Sequence, residues 1–327
     1  MMKKNVLITG ITGQDGAFLT SQLLAENKYK IIGTSREKDT SKFFQKLEHL
    51  NVDSSTLLDL QIIESNFLDY ESINSLIKNS NVEFIYNLIG PGSVNESVKN
   101  PFESSKSIIL AFNNLAKSLV DNRIFPKFFQ TSSSEMFAQN NSEKLNELSP
   151  FSPKSPYGSS KLYIHNLITF LRNKYDWDIT SGILFNHESE FRPNEYLLMK
   201  IINKAIEINE NKNESLELGS FDLTRDWGFA GDHTKAMKLI LENNPGEDYV
   251  IGTGRGTSIK ELTNLAFSYF DLDYTEFVSV DEKLLRSNEP TKIISDPSKI
   301  KKDIGWEPSI SIEELVIRCI EFRISYS

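Results

Sequence analysis

Three glycines spaced three residues apart, Gly10, Gly13 and Gly16, set the tightest limit on how this chain can fold. They follow directly on the apolar run Asn5-Val6-Leu7-Ile8-Thr9 and lead into an amphipathic segment that continues to Ala25. A buried strand that turns through glycines into a helix is the opening unit of a parallel sheet. Glycine at those points lets the backbone come close to a pyrophosphate seated on the helix N-terminus. Gln14 and Asp15 stand between the second and third glycine and join Gly10, Gly13 and Gly16 as candidate nucleotide-contacting residues. A tight turn with no ligand is the competing reading, and three glycines alone do not separate the two.

The rest of the chain favours the first reading. Strand-like runs recur at Lys30-Ile31-Ile32-Gly33-Thr34, Leu60-Gln61-Ile62-Ile63, Phe84-Ile85-Tyr86-Asn87-Leu88, Lys127-Phe128-Phe129-Gln130-Thr131 and residues 179–184. Helix-like stretches such as 108–120 and 157–175 alternate with them. That alternation predicts an α/β fold, a Rossmann-type doubly wound parallel sheet with helices on both faces. After Asn186 the pattern loosens. Pro193, a helix through Ile208 and the polar loop 210–214 predict a smaller C-terminal substrate-binding α/β region. The expected division is a nucleotide-binding domain over residues 1–185, with a segment returning to it near 225–250, and a mainly substrate-binding region over 186–327.

Composition removes several classes of function. The net charge of −9 over 327 residues argues against a nucleic-acid binder, because phosphate contact needs a basic surface. The one cysteine, Cys319, excludes an internal disulfide and a cysteine zinc cluster. His49, His165, His187 and His233 are scattered, and no metal site is expected; His187 reads as structural. No apolar stretch reaches transmembrane length, and Met1-Met2-Lys3-Lys4 leads straight into the first strand with no signal peptide. A cytoplasmic protein is expected.

The second strand ends in Gly33-Thr34-Ser35-Arg36-Glu37. An acid there holds the ribose 2′-hydroxyl of NAD, whereas an arginine pairs with the 2′-phosphate of NADP. Arg36 comes first, so NADP is favoured, with NAD as the alternative that Glu37 keeps open. Asn66 and Phe67, after the third strand, are candidate adenine contacts, although asparagine there also suits a plain turn.

Chemistry enters with two clusters, Ser133-Ser134-Glu135 and Tyr157-Gly158-Ser159-Ser160-Lys161. Tyrosine and lysine at i and i+4 share a helix face, where an ammonium can hold the phenol near ionisation as a base for an alcohol proton. Ser155-Pro156 is a helix-start signature that puts Tyr157 in the first turn. Ser133 is the candidate third partner. Glu135 adds what a plain alcohol dehydrogenase has no use for, a second base, a carboxylate suited to eliminating water from an oxidised sugar.

These residues, together with Phe185-Asn186-His187-Glu188-Ser189, Arg225-Asp226-Trp227-Gly228, Asp296-Pro297-Ser298-Lys299 and Gly305-Trp306-Glu307-Pro308, resemble extended short-chain dehydrogenases/reductases. Within them the chain is most similar to GDP-mannose 4,6-dehydratases. The resemblance implies Ser133, Glu135, Tyr157 and Lys161 as catalytic residues. It implies Asn186, Lys200, Arg225 and Arg286 around a nucleotide diphosphate, a GDP-linked sugar as substrate, and a homodimer or homotetramer. In tetrameric relatives the loop after the second strand reaches a neighbour, and residues 38–50 are expected either to do so or to form a plain surface loop.

The chain also departs from the family. Glu37 replaces a second arginine, Gly90-Pro91-Gly92-Ser93 replaces a Gln-Ser pair, and Phe137-Ala138 replaces Tyr-Gly. Glu190-Phe191-Arg192 intervenes where Pro and Arg are common, and Ser220 replaces an asparagine. These leave the exact sugar open. A 4-keto-6-deoxysugar reductase or an epimerase would keep Tyr157 and Lys161 without needing Glu135. A catalytically silent NADP-binding sensor or assembly subunit would need none of the four.

Overall fold

The computed structural model describes residues 2–90, 94–137, 143–284 and 289–325. Strand β1 (Lys4–Thr9) is followed by α1 (Gln14–Ala25) and by β2 (Tyr29–Ser35), which lies parallel to β1 with Val6 opposite Ile31. The pattern continues through α2 (Ser41–His49), β3 (Leu60–Glu64), α3 (Tyr70–Ser80) and β4 (Phe84–Asn87). Then come α4 (Val94–Lys99), α5 (Pro101–Asp121), β5 (Lys127–Ser133), α6 (Pro156–Tyr175) and β6 (Ile179–Leu184).

The chain next builds a second lobe from β7 (Asn186–Glu188), α7 (Leu197–Glu210), β8 (Leu216–Leu218) and β9 (Thr224–Phe229). It returns to the first with α8 (Ala230–Asn243) and β10 (Tyr249–Ile251). It leaves again through β11 (Gly256–Ser258), α9 (Ile259–Ser268), β12 (Val278–Val280) and β13 (Lys292–Ile293). Helix α10 (Ser298–Ile304) packs under the first lobe and α11 (Ile312–Ser325) closes the second.

The main sheet has seven parallel strands in the order β10-β6-β5-β4-β1-β2-β3. It is buried on both faces, which is why its strands read as near-continuous apolar runs. Leu23, Met237, Ile240 and Leu241 cover one face from α1 and α8. Phe112, Leu115, Ile164 and Ile168 cover the other from α5 and α6. Strand order reverses between β1 and β4, and the crevice beyond their carboxyl ends is where open α/β sheets take ligands. The second lobe has its own core around Ile201, Ile202, Leu262, Phe267, Val316 and Ile320.

Residues 38–50 are not a plain surface loop: they contain α2, which buries Phe43 and Leu47 in the core of the first lobe. Among the described residues no helix is long and apolar enough to cross a membrane.

Two buried aspartates, one on β9 and one in the first turn of α8, hold the loops that run between the lobes. Asp226 accepts hydrogen bonds from the Thr253 amide and hydroxyl (2.9 and 2.6 Å), the Gly254 amide (2.9 Å) and the Ser295 amide and hydroxyl (3.1 and 2.5 Å). Asp232 accepts from the Ser309 amide and hydroxyl and from the Ile310 amide. A buried carboxylate is tolerated only with such saturation, and its removal leaves the donors unmet. Asp226→Ala is therefore expected to cost about 3 kcal/mol or more of stability, read as a lower urea midpoint at unchanged slope.

Candidate active site

The carboxyl ends of the central strands open into a cavity of about 470 Å³ that runs on into the second lobe. The glycine turn forms one wall. A Cβ on Gly16 would lie 2.0 Å from the Ile11 carbonyl oxygen, so only glycine lets α1 start this close to the turn. The N-cap of α1 is Gly13, which brings no side-chain cap, and the first-turn amides stay open for an anion. Gly10, Gly13 and Gly16 all line the cavity, and this cradle fits a dinucleotide pyrophosphate.

Opposite stands the start of α6. Ser155 caps it by accepting from the Gly158 amide at 3.0 Å, and Pro156 opens the first turn. A Cβ on Gly158 would fall 2.6 Å from the Glu135 carbonyl oxygen. The bare Cα thus lets the helix press against residues 134–137, bringing Tyr157 and Glu135 into one cavity with Ser133 and Lys161. The Ser133 hydroxyl accepts from the Glu135 amide at 3.2 Å and hydrogen-bonds the Tyr157 phenol.

Electrostatics differ in one respect from the sequence-based expectation. Burial pushes Tyr157 up to about 12; the Ser133 hydrogen bond opposes this and the Glu135 carboxylate adds to it. Arg192 is the cation that pulls the phenol down. Lys161 stands 5.6 Å from the Tyr157 ring centre, but its ammonium donates to the Thr131 carbonyl at 2.9 Å. Burial brings Lys161 down to about 8, so it keeps its charge at neutral pH.

Of the other sequence candidates, Asn186 and Arg225 line the cavity, and Arg225 bonds Glu289 through Nη2 at 3.0 Å. Lys200 does not reach it: it is exposed on α7 and donates to the Glu217 carbonyl at 2.9 Å. Arg36 is exposed beyond the end of β2. The Asn66 side chain accepts from the Leu68 amide at 3.1 Å in a turn, and Phe67 is buried in the core behind the sheet. Arg286, Pro91, Gly92, Ser93 and Ala138 lie outside the described residues.

Gln14 and Asp15 reach the site in an unexpected role. Gln14 donates to the His187 carbonyl at 3.2 Å and accepts from the Ser189 hydroxyl at 2.8 Å. Asp15 pairs with His187 Nε2 at 3.1 Å, while His187 Nδ1 faces the Phe185 carbonyl at 2.8 Å. The glycine turn is thereby clasped to the strand that opens the second lobe. Burial works against the Asp15 charge, but His187, with Arg192 behind it, holds Asp15 at about 2. Burial likewise opposes charge on His187, and the Asp15 carboxylate wins, raising it. His233, stacked 4.6 Å from His187, is pushed by burial, with His187 adding, to about 3 and stays neutral.

Sequence reasoning missed the Glu188, Arg192 and Tyr196 side chains in the same wall. Arg192 touches Glu188 at 3.0 Å without hydrogen-bond alignment, and its guanidinium lies 3.7 Å from the Tyr196 ring centre. The one signal was position: Glu188 stands within the Phe-Asn-His-Glu-Ser run, and Arg192 and Tyr196 follow soon after it.

Fold and site together define an extended short-chain dehydrogenase/reductase. The family model described as GDP-mannose 4,6 dehydratase matches residues 7–319. The chain belongs to that family. It is 33% identical to GDP-mannose 4,6 dehydratase 1 of Arabidopsis thaliana over 321 residues, covering 96% of this chain and 88% of the relative. It is 28% identical to the GDP-mannose 4,6-dehydratase of Sinorhizobium fredii over 99% of this chain and 97% of the relative. Among solved structures, a dTDP-glucose 4,6-dehydratase from Streptomyces venezuelae superposes with a TM-score of 0.84 at 20% identity, over 98% and 97% of the two chains. The likeness shows the fold.

The Asp15–His187 clasp makes stability depend on pH. The folded Asp15 lies below its ordinary 3.8, so its contribution is full above that value and fades as pH falls toward about 2. His187 is raised, so its share is present below the ordinary 6.5 and is lost as pH climbs through the folded value. Asp15→Asn is expected to cost about 2 kcal/mol near pH 6 and about half that near pH 3, by urea unfolding at the two pH values.

Proposed function

We infer that this protein is a GDP-sugar 4,6-dehydratase, a hydro-lyase that takes GDP-mannose to its 4-keto-6-deoxy sugar with NADP as recycled cofactor. The observation that carries the reading is Glu135 in one cavity with Ser133 and Tyr157, in a chain that matches the family from residue 7 to 319. Reduction or epimerisation on this fold has no work for that carboxylate. Residues 186–327 supply most of the sugar-nucleotide contacts, and Asn186 and Arg225 are the described candidates for the diphosphate side.

The residues divide the chemistry as follows. NADP held against the glycine turn of Gly10, Gly13 and Gly16 would supply the hydride chemistry, as acceptor at C4 and donor at C6. Tyr157 takes the proton of the C4 hydroxyl, and Ser133 hydrogen-bonds O4 as it becomes a carbonyl. The C4 ketone acidifies the C5 proton. Glu135 removes that proton and assists departure of the C6 hydroxyl as water, after which C5 is reprotonated. Lys161 holds a positive charge beside Tyr157 throughout.

We further propose a cytoplasmic homodimer or homotetramer. The outer faces of α5 and α6 leave Phe102, Tyr163 and Phe170 exposed, which supports pairing there.

Incubation with GDP-mannose and catalytic NADP⁺ is expected to give a product lighter by one water. Glu135→Gln is expected to lower turnover by about 10²–10⁴-fold with NADP⁺ binding retained. No mass change with GDP-mannose, with NADP⁺ bound, would overturn the assignment. In the active enzyme, turnover is expected to fall as pH rises through about 8, where Lys161 loses its proton. A rate that stays level well above that pH would exclude the role given to Lys161.

A further inference from the structure

Lys46 is a cation in search of an anion. It projects from α2 onto the glycine turn, where its ammonium donates to the Thr12 carbonyl at 2.8 Å. The Phe191 ring centre lies 5.9 Å away. Among the described residues, no carboxylate is in ion contact with it. Burial lowers its pKa, Lys42 adds to that, and Glu37 acts on it only from a distance. A partly buried ammonium whose one hydrogen-bond acceptor is a neutral carbonyl is left with uncompensated charge.

The lysine is held in place. Phe43 and Leu47 bury the inner face of α2, and His49 at its end lies 3.5 Å from the Glu190 carboxylate. Glu190 is itself gripped by Arg318 at 3.0 and 2.5 Å. The His49 ring packs edge-on against Phe191 and Phe322 at 5.6 and 4.8 Å. So the Lys46 ammonium is presented to the glycine turn by a braced helix.

Its position identifies the missing anion. The Ile11 amide donates to the Thr34 carbonyl at 3.1 Å, so the turn carrying Thr12 abuts the end of β2. That strand end is where a dinucleotide's adenosine ribose sits in such sheets. Arg36 follows the strand by one residue, and Lys42 precedes Lys46 by one helical turn. The Glu37 amide is tied back to the Ser35 hydroxyl at 3.0 Å.

We propose that Lys46, with Arg36, binds the ribose 2′-phosphate and sets the preference for NADP over NAD. This rests on the reading of NADP as the cofactor. A phosphate gives the Lys46 ammonium a charge-assisted partner that a ribose hydroxyl cannot equal.

The test is calorimetric titration of the full chain with NADP⁺, NAD⁺ and 2′,5′-ADP, which carries the phosphate without the nicotinamide. Lys46→Met is expected to weaken NADP⁺ and 2′,5′-ADP by about tenfold or more and to leave NAD⁺ within about twofold. Lys46→Arg is expected to restore the phosphate-bearing ligands. Equal losses for NADP⁺ and NAD⁺ would mean that Lys46 merely supports the turn, and would overturn the proposal. Unchanged NADP⁺ affinity, in a wild-type protein that prefers NADP⁺, would overturn it while leaving the cofactor reading intact. A wild type that does not prefer NADP⁺ would sink both.

Discussion

The clasp between the glycine turn and the first strand of the second lobe is the contact on which the site depends. Gln14 and Asp15 hold His187 and Ser189, and through them the wall that carries Asn186, Glu188 and Arg192. The turn belongs to the first lobe and the wall to the second; in the proposed function the one holds the cofactor and the other faces the sugar. Were the two lobes free to shift, the distance between oxidant and reacting carbon would shift with them, and catalysis by positioning tolerates little of that. A charged pair serves here because its geometry is directional, and because each group has a further partner, the Phe185 carbonyl for His187 and the Gln14 side-chain amide for Asp15.

The wall around Tyr157 shows a different balance. Burial by itself makes Tyr157 a poor base and Lys161 a less secure cation. The groups that offset this come from separate parts of the chain: Ser133 from the end of β5, Arg192 from the loop after β7 and Thr131 from β5 again. The close approach of α6 to residues 134–137, allowed by Gly158, brings them within reach of one another.

Much of this was legible in the sequence. Strands β1 to β6 and helices α1, α5 and α6 follow from unbroken apolar runs, glycine turns and the Ser155-Pro156 start, because a sheet buried on both faces leaves a strong hydrophobic signal. The four candidate catalytic residues, which the fold brings to one cavity, stand out in the sequence because two of them share one helical turn and two share one strand end. What escaped reading depends on long-range contact. Helix α2 was hidden in a polar stretch whose two buried residues, Phe43 and Leu47, acquire meaning only once the sheet is there to receive them. Short strands such as β8, β11 and β13 carry too few residues for a period. Gln14 and Asp15 were read as ligand contacts since they sit among glycines, yet their partners lie more than 170 positions away. Lys200 and Phe67 stand at plausible positions along the chain, but the fold turns one to solvent and the other into the core.

The path of the chain between its two halves has a consequence for how such a protein can be taken apart. The outermost strand of the main sheet, β10, is supplied after β9 has already been laid down in the other lobe, and α10 comes back beneath the sheet later still. No single cut releases either half with its core complete. A fragment ending at residue 185 would carry a raw sheet edge along β6 and would lack α8, which covers one face. Recombination between relatives therefore faces several junctions at once, and an exchange of sugar preference is more accessible through loop substitution than through trading lobes. The same weave makes it natural for the molecule to melt as one unit, with the first lobe unable to outlive its companion.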